Sequence, residues 1–234
     1  MKNVNKRKIL RVFDTQKEIV DDLLIEQVEI EININGKVVG KIATLPENII
    51  ELAIGYCFYK KKFHSYRQIN SYNFDLDRKR IDLVISDFPK VQNKPQSILQ
   101  ITPHKIYDLM QRFTQKSELF KITGAVHSAA LIYDDEIVYF ASDIGRHNAI
   151  DKVIGMGMLN KSDLSKYWLF TSGRISLETV EKAINANIPI IVSHSAGMEK
   201  SVQLAEENNI TLIGFVRQKR MNIYCGWKNL DFSE

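Results

Sequence analysis

The chain of 234 residues holds only two cysteines, Cys57 and Cys225, which lie far apart. That excludes a disulfide framework and any cysteine-rich zinc site. No apolar run approaches the roughly 20 residues that cross a bilayer. Met1 to Arg11 is basic without an apolar segment behind it, so it is not a secretory signal. These absences set the expectation of a cytoplasmic protein with no membrane partner. Charge of one sign is also scarce. Net charge is +4, too little for a protein that coats nucleic acid, and no aromatic pattern suited to stacking on single strands accompanies the basic clusters at Lys60 and Arg217. No nucleic-acid partner is expected. What remains is ordinary globular composition, 44% hydrophobic and 26% charged, with a mild preference for an anionic ligand.

Met1 to about Asp14 reads as polar and loosely ordered. Val28, Ile30, Ile32 and Ile34 alternate with Glu29, Glu31 and Asn33, the period of a half-buried strand. Asn35-Gly36 then signals a hairpin, with Lys37 to Ala43 as the returning strand. Pro46 and Glu47 mark a helix start, and Ile49, Leu52, Ala53 and Tyr56 form its stripe, with Cys57 a small buried hydrophobe beside it. A second hairpin is expected around Asp77-Arg78-Lys79. Residues 1–90 therefore read as a small α+β domain. Residues 91–105 read as a connector, and residues 106–234 as a larger domain that opens on the helical stripe Ile106, Leu109, Met110 and Phe113.

In the larger domain the rhythm changes. A hairpin at Ala129 to Ala141 precedes helices at Asn148 to Leu159, Leu177 to Asn187 and Met198 to Asn209. Strands at Tyr167 to Thr171, Pro189 to Ser193 and Thr211 to Val216 alternate with them. This is α/β patterning: a largely parallel sheet covered on both faces, made mixed by the hairpin.

Polar clusters sit where such a fold places chemistry, at strand ends. Arg217, Lys219 and Arg220 put three cations within four residues, just past Leu212-Ile213-Gly214-Phe215. Gly214 allows a ligand or another backbone to approach, and guanidinium suits bidentate phosphate contacts. A solvated basic turn is the plainer reading. Asp143-Ile144-Gly145-Arg146-His147-Asn148 places Arg146 and His147 at a helix N-terminus that Asn148 or Asp143 would cap. An Asp143–Arg146 ion pair is the plainer alternative. Ser172-Gly173-Arg174 repeats the logic, with Ser176 as N-cap. Ser193-His194-Ser195 lacks a Gly-x-Ser-x-Gly elbow and an Asp partner, so it is no hydrolase site. His127-Ser128-Ala129 lacks the Glu of the zinc deaminases, and no Cys pair follows; that activity and its metal site are excluded. His127 is left an orienting or packing role. Cys225, close after the basic segment, is a weak candidate for an exposed thiol of lowered pKa, and an incidental cysteine is the plainer reading.

Thr123 to Ala130, Asp143 to Gly155, Ser172-Gly173-Arg174 with Glu178 to Ala183, Ser193 to Ala196, Leu204-Ala205-Glu206 and Gly214 to Tyr224 together resemble one family. It is the FdhD/NarQ family of formate dehydrogenase accessory sulfurtransferases. Val28 to Gly36 and Glu51 to Gly55 extend the likeness into the first half. The resemblance implies a cytidine-deaminase-like three-layer α/β/α core. It implies binding of the molybdenum bis(molybdopterin guanine dinucleotide) cofactor at Phe215, Val216, Arg217, Gln218, Lys219 and Arg220, with GDP as an analogue. His127, Arg146, His147 and Arg174 become further ligand contacts. The implied partners are a cysteine desulfurase, the catalytic subunit of a formate dehydrogenase and a second copy in a homodimer. The connector departs from the family pattern: Val91 to Ile98 carries no Cys-x-x-Cys. A persulfide needs a thiolate, and Cys225 is the one stand-in near the basic segment. Two readings stay open, a sulfur carrier and a cofactor-holding chaperone without sulfur chemistry.

Overall fold

The computed structural model describes residues 3–87 and 102–231. It begins with a ribbon, β1 (Val4–Phe13) paired antiparallel with β2 (Gln16–Ile25). The expected loose segment is thus a strand. Its order comes from cross-strand pairing that its own sequence does not show. Lys6 meets Asp21 at 2.8 Å and Arg11 meets Asp22 at 3.9 Å, while Asp14 takes a left-handed conformation (φ 51°) in the turn.

Next come β3 (Val28–Ile34) and β4 (Lys37–Thr44), joined through Asn35 and Gly36 at φ 49° and 79°, as the Asn-Gly signal demands. Helix α1 (Ile49–Tyr59) starts three residues after Pro46, because Asn48 is itself left-handed. The hairpin β5 (Ile69–Asp75) and β6 (Arg80–Ile85) completes a four-stranded sheet in the order β4-β3-β6-β5, with β3 and β6 parallel. Of the 91–105 connector, residues 91–101 lie outside the described residues, and Pro103 to Lys105 form the first turn of α2 (Pro103–Lys116). A short helix unforeseen in the sequence, α3 (Glu118–Thr123), follows and ends on left-handed Gly124 (φ 65°).

The second sheet is built from β7 (His127–Tyr133), β8 (Glu136–Asp143), β9 (Trp168–Thr171), β10 (Ile190–Ser193), β11 (Thr211–Arg217) and β12 (Arg220–Cys225). Between them run α4 (Arg146–Leu159), α5 (Leu177–Asn185) and α6 (Glu199–Glu207). The order is β12-β11-β10-β9-β7-β8. Only β9, β10 and β11 pair in parallel, and an antiparallel hairpin closes each end. The sheet is therefore less parallel than the sequence suggested, because residues 220–225 return as a strand.

Three layers result. Ala129 and Leu131 of β7, with Leu169, Ile191 and Leu212, pack in one core with α4, α5 and α6 through Ile150, Val153, Val180 and Ala205. Ala130, Ile132, Phe170, Val192 and Ile213 pack with Ile106, Leu109, Met110 and Phe113 of α2. Consecutive β7 residues are apolar because both faces of the sheet are covered. The first of these cores runs on without a break into Ile32, Ile54, Ile81 and Leu83 of the four-stranded unit. Asp143 and Lys152, both fully buried, lock this junction. Their side chains meet at 2.7 Å, Asp143 also accepts from Thr44 and from the Leu45 amide, and Lys152 donates to the Leu45 carbonyl. No helix among the described residues is long and apolar enough to cross a membrane.

Candidate functional site

The ends of β9, β10 and β11, the start of β7 and the end of β8 lie along one edge of the six-stranded sheet. The polar clusters of the sequence gather there, but as three separate groups.

The first is a cavity of about 750 Å³ between α2 and the β11–β12 tip. Arg217, Gln218 and Lys219 line one side together with buried Val216, and His104 and Tyr107 of α2 line the other. His194 reaches it from the end of β10. The tip owes its shape to a break in register between Gly214 and Arg217, with Phe215, Gln218 and Lys219 all left-handed at φ 51°, 52° and 58°. Gly214 is required by another backbone rather than by a ligand, since a Cβ there would stand 2.7 Å from the Ser195 carbonyl oxygen. Phe215 does not line the cavity, nor does Arg220. Instead the Phe215 ring carries both guanidinium groups, Arg217 at 5.3 Å and Arg220 at 5.6 Å. Burial, reinforced by Arg217, holds the pKa of His194 below the usual histidine value.

The second group is His127, Ser172 and Arg146. His127 Nδ1 lies 3.3 Å from Ser172 Oγ, which accepts from the Ser128 amide at 3.0 Å. Burial and then Arg146 lower the pKa of His127. Arg146 lies across Gly173, where a Cβ would come within 2.8 Å of its side chain. Its Nε is buried without a hydrogen-bond partner among the described residues, a donor suited to a ligand. Asp143 does not pair with Arg146, because Lys152 claims its carboxylate. Nor does Asp143 or Asn148 cap α4. The helix begins after Gly145 without a side-chain cap, and Asp143 Oδ1 accepts instead from the Gly145 amide and the Asn148 amide group, each at 2.9 Å.

His147 belongs to a third group. Its Nε2 lies 2.8 Å from Ser176 Oγ and its Nδ1 3.2 Å from Glu178 Oε2. Lys182, buried, meets Asp151 at 2.7 Å and Glu178 at 3.0 Å, and donates to the His147 carbonyl at 3.2 Å. Burial drives the His147 pKa down to about 4 against the pull of Glu178, and burial raises that of Asp151 to about 6 against the pull of Lys182. Ser176 stands at the N-cap of α5 as expected but makes no capping bond there. Arg174 is exposed and stands apart from these groups.

The expectation for Cys225 is overturned. It is 4% exposed, donates from Sγ to the Ile210 carbonyl at 3.2 Å, and burial pushes its pKa up to about 11. Strand β12 folds it inward, away from the cations that would have lowered that value. Cys57 is fully buried, as expected, with its pKa raised to about 12. Sequence reasoning missed His104 and Tyr107, which carried no motif, and Asp151 and Lys182, which sit in helices where a charged residue ordinarily faces water. Among the described residues, no three His, Cys, Asp or Glu side chains are grouped to hold a metal ion.

A model of the FdhD/NarQ family matches residues 84–231. Sulfur carrier protein FdhD of Bacillus licheniformis is 30% identical over 97% of this chain and 97% of its own. The namesake proteins of Listeria innocua and Wolinella succinogenes are 41% and 46% identical over 62% and 54% of this chain, and the chain spans 56% and 44% of their lengths. The crystal structure of a protein from Desulfotalea psychrophila, described as a formate dehydrogenase accessory protein, superposes with a TM-score of 0.89 over 97% of this chain and 99% of its own at 23% identity, which shows the fold.

Proposed function

The chain belongs to the FdhD/NarQ family, and from that premise we propose that it is an accessory protein for formate dehydrogenase maturation. In this reading it binds the bis(molybdopterin guanine dinucleotide) cofactor in the cavity between α2 and the β11–β12 tip. One observation carries the reading: Arg217 and Lys219 face His104 and Tyr107 across a space of about 750 Å³. Cavities of this size take drug-sized ligands. Arg217 offers a fork for phosphate oxygens, Lys219 a point charge, Tyr107 an aromatic face for a base, and a neutral His194 a hydrogen bond. That donor set fits a dinucleotide with an anionic middle and a planar end. When bound, the cofactor supplies the metal centre, and the chain's residues hold and orient its nucleotide end. A cysteine desulfurase, the formate dehydrogenase catalytic subunit and a second copy of the chain complete the proposed assembly in the cytoplasm.

A calorimetric titration with GDP tests this. The protein should bind saturably, and Arg217→Ala, an exposed change, should weaken binding at least tenfold. Equal affinity in both proteins refutes the site.

One observation favours a narrower role, a cofactor-holding chaperone without sulfur transfer. Cys57 and Cys225 are the only thiols of the chain, and both are buried with raised pKa. Incubation with a desulfurase and labelled cysteine separates the two. Label that stays on the protein and leaves on reduction supports a carrier; no such label supports the chaperone.

A further inference from the structure

A Ser–His–carboxylate relay is present that no local motif announces. Ser176, His147 and Glu178 come from two helix starts and are brought together only by the packing of α4 beside α5. The Ser176 hydroxyl lies 2.8 Å from His147 Nε2, and His147 Nδ1 lies 3.2 Å from Glu178 Oε2. Glu178 is held from its other side by Lys182 at 3.0 Å, and the same ammonium group anchors the His147 backbone through its carbonyl. Each member of the relay thus has its orienting partner, which is how such constellations are recognised on unrelated folds. The roles are consistent with the protonation states. His147 is neutral near pH 7, and at Glu178 the penalty of burial is outweighed by Lys182 and His147, which together lower its pKa. With Glu178 accepting from Nδ1–H, Nε2 is left as the acceptor for the serine proton.

Ser176 occupies an N-cap position, where a serine hydroxyl normally accepts from the first-turn amides of its own helix. Here it does not; it turns to His147 and to Thr179 Oγ1 at 3.2 Å. The first turn of α5 therefore keeps its amides free of that side chain, next to the nucleophile, where a developing oxyanion would need donors. His147 and Glu178 remain about one quarter and one third exposed, while Ser176 is 8% exposed, so solvent meets the relay at the imidazole and carboxylate and reaches the hydroxyl only beside them. Its members are not among the residues that line the α2 cavity.

We propose that Ser176, His147 and Glu178 form a second, nucleophilic site that acts on small activated carboxylic esters. Ser176 Oγ adds to the ester carbonyl carbon as its proton passes to His147 Nε2. His147 returns that proton to the departing alcohol oxygen, the bond from the acyl carbon to that oxygen breaks, and an acyl-Ser176 ester remains. Water adds to the acyl carbon with His147 taking its proton. The Ser176 oxygen then leaves and recovers the proton, and the carboxylic acid is released. No oxidant, metal or cofactor enters the balance. The site is independent of the cofactor reading above.

The test treats the full chain with diisopropyl fluorophosphate and maps the adduct by mass spectrometry, with 4-nitrophenyl acetate as the ester. One diisopropylphosphoryl group on Ser176 and saturable release of nitrophenol are expected. His147→Gln and Glu178→Gln, checked for native circular dichroism, should each slow labelling at least tenfold, while GDP titration of Glu178→Gln stays as in the parent. The first readout needs no variant. If Ser176 in the folded chain is modified no faster than the exposed Ser71, the proposal is overturned. Labelling of Ser176 at the parent rate in folded His147→Gln overturns it equally.

Discussion

Gly55 of α1 lies directly against the backbone of Asp151 in α4, and Gly155 of α4 lies the same way against Glu51 in α1, where the two helices cross. A Cβ on Gly55 would stand 2.0 Å from the Asp151 carbonyl oxygen, and one on Gly155 would stand 2.0 Å from that of Glu51. Backbone meets backbone there, and neither oxygen is the movable end of a side chain. Gly55→Ala or Gly155→Ala must push the helices apart, and either is expected to destabilise the fold by about 1–3 kcal/mol. The double variant should cost less than the sum, because the first methyl already opens the crossing for the second. Urea midpoints of the four proteins check both statements.

Stability should show two opposed pH dependences. Asp151, desolvated, has a folded pKa raised from 3.8 to about 6. Its contribution is complete below 3.8 and lost as the pH rises through about 6. His147, also desolvated, is lowered from 6.5 to about 4, so its contribution is complete above 6.5 and lost as the pH falls through about 4. Between pH 4 and 6.5 the two slopes oppose each other. His147→Gln removes the rising slope alone, so its stability deficit against the parent should grow steadily from pH 4 to 6.5. Denaturation series at four pH values measure this, and a constant deficit would falsify it.

Nucleotide affinity should couple to His194. Burial and Arg217 keep this imidazole neutral at pH 7. An anion in the proposed cavity supplies the countercharge an imidazolium needs, so binding should draw a proton onto it as the pH falls below 6.5. The difference in GDP affinity between the parent and His194→Gln is therefore expected to widen on going from pH 8 to pH 5.5. Using the difference cancels the titration of the nucleotide's own phosphate.

Thiol accessibility gives a fourth check. Cys57 and Cys225 should stay silent towards Ellman's reagent in the native protein and appear as two equivalents in denaturant. A fast-reacting native thiol would restore a nucleophile for persulfide chemistry.

Much of the fold was legible wherever one face of an element is buried. The alternation from Val28 to Ile34 and the stripe Ile106, Leu109, Met110, Phe113 each named their element, because burial imposes its period on the sequence. The β1–β2 ribbon has no such face. Leu10, Val12, Phe13 and Ile19 are all exposed, and the strand is fixed by partners on β2 that local pattern does not contain. The candidate site was legible as a location. Arg217 and Lys219 stand at the end of β11 beside a cavity, as the alternation of strands and helices implied. Its internal wiring was not. Lys152 and Lys182 carry no local signal of burial, yet each is buried against a carboxylate, Asp143 nine residues earlier and Asp151 thirty-one residues earlier. Cys225 was misplaced for the same reason: the turn at Gln218 and Lys219 sends the chain back along the sheet edge instead of into solvent.

The packing from Ile32 and Leu83 through α1 and α4 to Leu169 and Ile191 joins the two sheets in a single buried core. The molecule should then open as one cooperative unit, so that amides of α1 and β3 exchange with deuterium only when those of β9 and β10 do. A nucleotide held at the tip of β11 would, in that case, slow exchange in a sheet it never touches.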